Sequence, residues 1–404
     1  MIIMIDASCS KFYTHNSSYM LTYAKRAAKM FPKEKIIFWI GESADNETIR
    51  NFSDSVFPIL RSPIYSYTRD FTFFYLRDLL LNWVAKLISN LQILGFIQTV
   101  LENSVFYFFT RIPVKQTKVL SEQGEKLSFI LPSADGLTLR IIQRIIELGY
   151  PVQSVHIRTL AAESRGIYGI DDFPRYFLNL QQSNPKIEFK VGWESHVIAQ
   201  GLLESGIKSG DIYWAPMPTS RETTYKLLNS PLKIGFLGAA RKNKGFELIP
   251  RILNILVGSN MVVYVQLASQ PWPGYSDILL QIENQSRNIK FIKGGIAHID
   301  LLQIIASVDV LILPYSFLQY EKMGSGILYQ GADHLVPSIS FKQLGFSWDI
   351  EHFGIGATIN DLSELKEILN SKNVLTWRAN IEKYNAQRNV AVDSFLSRKV
   401  LLSE

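Results

Sequence analysis

Apolar residues fall into two recurring patterns along this chain. Short, near-continuous apolar runs bounded by polar or turn residues have the signature of strands buried on both faces. Between them, apolar positions recur at three- and four-residue spacing, as amphipathic helices require. The alternation is clean in the second half. It predicts strands at 232–238, 261–267, 289–292, 309–314, 336–341 and 356–359, with helices at 244–256, 275–284, 298–307 and from 327 to 332. Two more helices, at 362–369 and 375–385, precede a polar tail. The first half is noisier, with strands predicted at 2–5, 36–40, 127–131, 152–157, 187–191 and 211–215 and helices at 17–30, 137–148 and 194–204. Strand and helix in alternation predict parallel sheets covered on both faces. The Pro-, Ser- and Thr-rich stretch from Ala215 to Pro231 marks the boundary between halves. The expected architecture is α/β. One Rossmann-like domain spans 1–220, a second spans 231–360, and C-terminal helices over 361–404 pack back on the first. A ligand cleft lies between the two sheets.

Composition sharpens this picture only a little. With 47% hydrophobic and 19% charged residues over 404 positions, the chain is too apolar to be disordered and long enough for two cores. The net charge of +6 suits an anionic ligand or an acidic surface without choosing between them. Cys9 is the single cysteine, so no intrachain disulfide forms, and a reducing, cytoplasmic location is expected. The apolar start, 1–6, lacks the basic region and cleavage site of a signal peptide and reads as a first strand. Segment 65–113 stands apart. Its aromatics, among them Phe71, Phe73, Phe74, Trp83, Phe106 and Tyr107, alternate with Arg69, Arg77, Lys86 and Arg111. Two readings stay open: a helical insertion packed on the first domain or on a second subunit, or an interfacial surface that docks on anionic lipid. Its long apolar stretch, 79–101, is interrupted by Asn82, Lys86, Asn90, Gln92 and Gln98, which makes it a poor membrane span.

The candidate chemistry sits in the loops that follow the strands. After the strand at 232–238 come Gly238, Arg241, Lys242, Lys244 and Gly245, and then a predicted helix. A small-residue backbone, three cations and an approaching helix N-terminus suit a diphosphate. The strand at 309–314 is followed by Tyr315, Glu321, then Gly324, Ser325 and Gly326 before another helix, a second anion nest, with Glu321 placed to accept from ribose hydroxyls.

These residues resemble the nucleotide-sugar domain of GT-B fold glycosyltransferases, the retaining family 4 type in particular. Such domains carry a strand, a Gly, then Arg and Lys-Gly, as in Gly238, Arg241, Lys244 and Gly245. An apolar strand ending in Pro (Pro314), a loop with two Glu eight residues apart, and a later Gly-x-Pro follow. Registered on Pro337, the two Glu positions hold Lys322 and Gln330, with Glu321 one residue away. The resemblance covers 232–359 well and the first half in outline. It implies transfer of a sugar from a nucleotide diphosphate to an acceptor hydroxyl, with retention of configuration and no evident general base, and with Arg241, Lys244 and His156 as catalytic groups. Gly238, Gln266, His298, Glu321, Gly324, Ser325, Gly326 and Gln330 would hold the donor. His15, Asn16, Ser17, Arg158, Trp193 and Glu194 would line the acceptor side. An inverting enzyme would need a base, for which His15 and His156 are the candidates. The expected partners are a nucleotide-sugar donor and a glycan or lipid-linked acceptor, in surface polysaccharide or lipid-linked glycan synthesis, with membrane contact through 65–113. No cofactor, metal or nucleic acid is expected. A nucleotide-sugar epimerase and a non-catalytic binding module on the same fold remain alternatives.

Absent motifs narrow the field. The sequence holds no His-Glu-x-x-His, no cysteine pair for zinc, no Walker loop and no Gly-x-Gly-x-x-Gly after the first strand. That argues against a zinc hydrolase, a P-loop enzyme and a dinucleotide dehydrogenase.

Overall fold

The structure is a computed structural model that describes residues 1–6, 15–41, 59–62, 126–132, 136–159, 173–219, 227–238, 240–269, 271–285 and 288–397. The expected insertion over 65–113, Cys9 and the loop after the first strand lie outside the described residues.

Apolar runs in the first half become a seven-stranded parallel sheet. Its strands are β1 (Ile2–Asp6), β2 (Ile36–Gly41), β3 (Ile59–Ser62), β4 (Leu127–Leu131), β5 (Val152–Thr159), β6 (Glu188–Trp193) and β7 (Ile212–Trp214), in the order β3-β2-β1-β4-β5-β6-β7. Every residue of β4 is buried, which is why it reads as an unbroken apolar run. Helices α1 (His15–Met30), α2 (Gly136–Glu147), α3 (Phe173–Ser183) and α4 (His196–Glu204) accompany this sheet. Sequence reasoning passed over β3 and α3. Helix α3 buries Phe173, Phe177 and Leu180 at helical spacing, with Pro174 tolerated in the first turn.

The second half forms a six-stranded parallel sheet. Strands β8 (Leu232–Phe236), β9 (Met261–Gln266), β10 (Ile289–Ile292), β11 (Val310–Leu313), β12 (Ser338–Phe341) and β13 (Gly356–Ile359) run in the order β10-β9-β8-β11-β12-β13. Helices α5 (Ile249–Ile255), α6 (Tyr275–Glu283), α7 (His298–Ser307), α8 (Phe317–Tyr320), α9 (Gly326–Asp333), α10 (Ser347–Phe353), α11 (Leu365–Ile368) and α12 (Ser371–Leu396) follow in chain order. The strand order reverses between β8 and β11, and that switch point is where such sheets open a ligand crevice.

Two expectations are corrected. The helix expected from 244 begins instead at Ile249, after two short 3₁₀ turns at Lys242–Lys244 and Phe246–Leu248. Gly245, left-handed at φ +70°, separates the turns, and Pro250 sets the true first turn of α5. The helix expected at 375–385 is 26 residues long and runs on to Leu396. Helix α12 starts against the second domain, where Val374 and then Ile381 and Tyr384 join its core. It ends on the first domain, where Val392, Phe395 and Leu396 pack with Met20, Tyr23 and Ala24 of α1. The Arg26 guanidinium meets the Asp393 carboxylate through both oxygens at 2.5 Å.

The crossing is polar as well as apolar. Arg388, fully buried, donates to Asp333 Oδ1 at 2.9 Å, Asn385 Oδ1 at 2.8 Å and the Met217 carbonyl at 2.8 Å. It also lies over the rings of Tyr329 and Tyr384. One side chain thus ties α12 to α9 and to the segment that leaves the first domain.

Candidate functional site

At the switch point, β8 ends at Phe236 and the chain turns at Gly238, φ +102°. The Gly238 N–H donates to Gln266 Oε1 at 2.7 Å, so the end of β9 fixes the turn after β8. The chain then returns through the 3₁₀ turn, and Lys244 folds back over it. A methyl group built on Gly238 would lie 3.0 Å from Lys244 Nζ. The same ammonium lies 5.2 Å above the ring of Tyr315, a cation–π arrangement. Gly238, Lys244, Gln266, Pro314 and Tyr315 help to wall a cavity of about 20 Å³ beneath the turn.

Gly245 locks this loop to the loop after β11. Only glycine fits there, because a Cβ would lie 1.8 Å from the Pro314 carbonyl oxygen. Ser316 N–H donates to the Asn243 carbonyl at 2.9 Å and adds a second pin. Electrostatics follow from this packing. Burial pushes the Lys244 ammonium below the usual lysine range; Tyr320 opposes that shift and Arg241 adds to it. Burial likewise pushes the Tyr315 phenol up to about 12. Arg241 and Lys242 stay exposed on the outer face of the loop.

The second loop, from Tyr315 to Gly326, contains the short helix α8. Ser325 then caps α9, its Oγ accepting from Leu328 N–H at 3.4 Å. Gly324, Ser325 and the N-terminus of α9 stand on the same sheet edge as Gly238 and Lys244. Glu321 is exposed there. His298 opens α7 after β10 and is half-buried on that edge. Thus Gly238, Gln266, Lys244, Ser325 and their neighbours are brought together on one edge of the sheet. Gln330 is not: it is 1% exposed, enclosed in α9.

The first-domain residues are placed differently from expectation. His156 lies inside β5, not at a strand end on the cleft. It is 1% exposed, its ring 5.7 Å from that of Phe395 on α12 and its Nε2 3.8 Å from Glu188. Alternation along the strand turns it toward the helix that covers the sheet. Arg158 is fully buried, its guanidinium donating to the Ala215 carbonyl at 2.7 Å, the Pro132 carbonyl at 2.9 Å and Glu194 Oε2 at 2.7 Å. Both Arg158 and Glu194 are therefore enclosed at the domain junction and do not line an open acceptor surface. Trp193 belongs to an aromatic cluster with Trp214 and Trp348, each ring centroid 6.2 Å away. Trp348 is sandwiched between His196 at 4.6 Å and His352 at 4.3 Å. His15, Asn16 and Ser17 start α1, and their side chains lie outside the described residues.

Tyr315 and Asn243 escaped sequence reasoning, although Tyr315 directly follows the strand-ending Pro314. The Trp348–His352 pair had a visible signal in its four-residue spacing. Among the described residues, no group of three or more His, Cys, Asp or Glu is placed to hold a metal ion. None of their helices is long and apolar enough to cross a membrane.

No family model matches the chain, and no curated protein matches it in sequence. Solved structures do match in shape. A glycosyltransferase from Rickettsia africae ESF-5 aligns over 98% of this chain and 95% of its own, with 11% identity and a TM-score of 0.59. Anabaena Alr3699/HepE in complex with UDP-glucose aligns over 98% and 97%, with 12% identity and a TM-score of 0.57. A putative UDP-N-acetylglucosamine 2-epimerase from Listeria monocytogenes aligns over 98% and 93%, with 12% identity and a TM-score of 0.53. The likeness spans both domains and establishes the fold: the chain has the two-domain GT-B architecture, one that serves sugar-nucleotide proteins of more than one activity.

Proposed function

We propose that this protein is a glycosyltransferase that moves a sugar from a nucleoside diphosphate sugar to an acceptor hydroxyl. The observation that carries the reading is Lys244. Its ammonium is folded back on Gly238 at the switch point, among the described residues has no carboxylate within ion-pair distance, and shares an edge with the Ser325-capped N-terminus of α9. A diphosphate supplies the missing negative charge. In the reaction the bond from the anomeric carbon to the diphosphate oxygen breaks and a bond to the acceptor oxygen forms. The acceptor's proton passes to the departing diphosphate oxygen, and the nucleoside diphosphate leaves with the electron pair. Lys244, Arg241 and the Gly324–Ser325–Gly326 nest neutralise the charge that develops on the leaving group. Gln266 holds the turn through Gly238, and His298 stands on the base side. Enclosure of His156 beneath Phe395 leaves it poorly placed as the base an inverting enzyme needs; the retaining course in this reading rests on the resemblance.

The acceptor in this reading is a glycan or lipid-linked glycan, and the net charge of +6 with the aromatic–basic segment 65–113 supports contact with an anionic membrane face. Flotation with phosphatidylglycerol vesicles at low salt checks that part, and absence of binding removes it. The donor site is checked by thermal shift with UDP, GDP, ADP and dTDP, with CMP as control, on the natural chain and on Arg241→Ala and Lys244→Ala. A ligand that binds only the native state raises the melting temperature. A shift with one diphosphate, lost in both variants, is expected; no shift with any diphosphate refutes the reading. A second reading has one observation in its favour. With Lys322 in place of one acidic group and Gln330 enclosed, ribose contacts are reduced, as in a module that binds without turnover. Diphosphate binding without sugar transfer to any glycan acceptor would select it.

A further inference from the structure

The candidate donor nest is gripped by a turn that belongs to the other domain. Glu194 and Ser195 follow β6 in the first domain and are 4% and 0% exposed. Arg158 anchors Glu194 to its own sheet through the Oε2 bond described above. The other carboxylate oxygen faces the second domain, where a methyl group built on Gly324 would lie 2.5 Å from both Glu194 Cδ and Oε1. Just after the nest, the Tyr329 hydroxyl donates to the Glu194 carbonyl at 3.0 Å. Ser195 Oγ donates to the Gly345 carbonyl at 2.7 Å, and the Gly345 N–H donates to the Tyr320 carbonyl at 2.7 Å. One two-residue turn therefore meets the second domain on both sides of the segment from Tyr320 to Tyr329, the segment that contains Gly324, Ser325 and Gly326.

We infer that Glu194 and Ser195 are positioning residues that hold the anion nest in its donor-binding geometry, so that donor affinity depends on groups in the first domain that do not touch the donor. This inference rests on the donor site proposed above. In this nest the chain is extended at Ser325 and enters α9, and the backbone N–H groups it presents there bind an anion only when their directions converge. A loop has little rigidity of its own, so a turn wedged against Gly324, bonded to Tyr329 and linked through Gly345 to Tyr320 supplies it. Contact between packed side chains carries coupling of this kind, and a change at the contact alters ligand affinity by about tenfold.

The experiment is isothermal titration of the full chain with UDP, GDP, ADP and dTDP, together with thermal melts. Gly324→Ala drives a methyl group into the Glu194 carboxylate and is expected to weaken diphosphate binding about tenfold. Glu194→Asp, which withdraws the carboxylate by one methylene, is expected to weaken binding several-fold alone, because the wedge is lost. Combined with Gly324→Ala it makes room for the methyl group and restores much of the affinity. A turn that only stabilises the fold would move the melting temperatures and leave the affinity of the folded protein unchanged, and that result overturns the inference. If Gly324→Ala fails to fold, Glu194→Asp alone decides: affinity equal to the natural chain overturns it. Absence of diphosphate binding by the natural chain instead refutes the donor site itself.

Discussion

Gly245→Ala is the sharpest probe of the proposed donor site, because one added methyl group strikes the contact between its two loops. At φ +70° an alanine is strained by about 1–2 kcal/mol before any contact is counted. Its Cβ would then lie 1.8 Å from the Pro314 carbonyl oxygen and 2.7 Å from the carbonyl carbon. Both neighbours are backbone, so no side chain can swing aside. Restoring ordinary van der Waals separation moves the loops apart by roughly 1.5 Å, and such overpacking costs a further ~1–3 kcal/mol. Separation of that size also carries Lys244 away from the Gly324–Ser325 nest. A misplacement of about 1 Å at a reacting group lowers rates ~100-fold, so sugar transfer should fall by about that factor. Gly258→Ala is the matched control. It too has a left-handed glycine, φ +82°, but nothing lies within 4 Å of the added methyl group. It should lose about 1 kcal/mol of stability and no affinity. Thermal melts and diphosphate titration of the two variants side by side give the answer. If Gly245→Ala folds and binds diphosphate as tightly as Gly258→Ala, the two-loop site is wrong.

Three further outcomes are expected. Burial holds the Lys244 ammonium below the ordinary lysine range, and a bound diphosphate favours the charged form, so binding takes up a proton and weakens as pH rises past the free-state value. Titration calorimetry in two buffers of different ionisation enthalpy measures this, and zero proton uptake at alkaline pH contradicts it. Asp349 is 1% exposed; burial, reinforced by Glu194, raises its carboxyl well above the ordinary range, opposed by Arg388. Its protonated form is therefore favoured in the folded state. Stability from this group is full below the ordinary carboxylate pKa and is lost as pH rises toward the raised folded value. Asp349→Asn should raise the melting temperature at pH 8 more than at pH 5, and equal shifts at the two pH values would show that no such linkage exists. Arg388→Met removes the buried cation that faces Asp333, Asn385 and the Met217 carbonyl and should cost about 3–5 kcal/mol, read by chemical denaturation; a loss below about 1 kcal/mol would show that this ion pair does not hold the junction.

What could be read from sequence follows a physical line. Strands such as β11, buried at every position, write themselves as apolar runs, and α7 has the boundaries that its spacing predicts. The glycine, cation, glycine series from Gly238 to Gly245 was legible because backbone conformation restricts which residues fit those positions. Helix α12 was legible only in part, and the reason lies in what it crosses. Its apolar stripe serves one core at Val374, gives way to Asn385 and Arg388 at the junction, and resumes against the other core at Val392 and Phe395. A stripe that changes partners midway loses its period, so periodicity alone ends the helix too soon. The same junction explains the misplaced site residues. Arg158 and Glu194 are polar groups near strand ends and His156 is one inside a strand, and a sequence does not say whether such groups face a cleft or an enclosing element. Here Arg158, Glu194, Asp333, Asp349 and Arg388 are all buried where the two domains meet. Buried charges are tolerable only when partners are fixed in direction and distance. A junction built from them accepts few relative orientations of the domains, whereas a wholly apolar one would slide. Arg158 and Glu194, polar residues that resemble site groups in sequence, are thus part of the packing where the two domains meet.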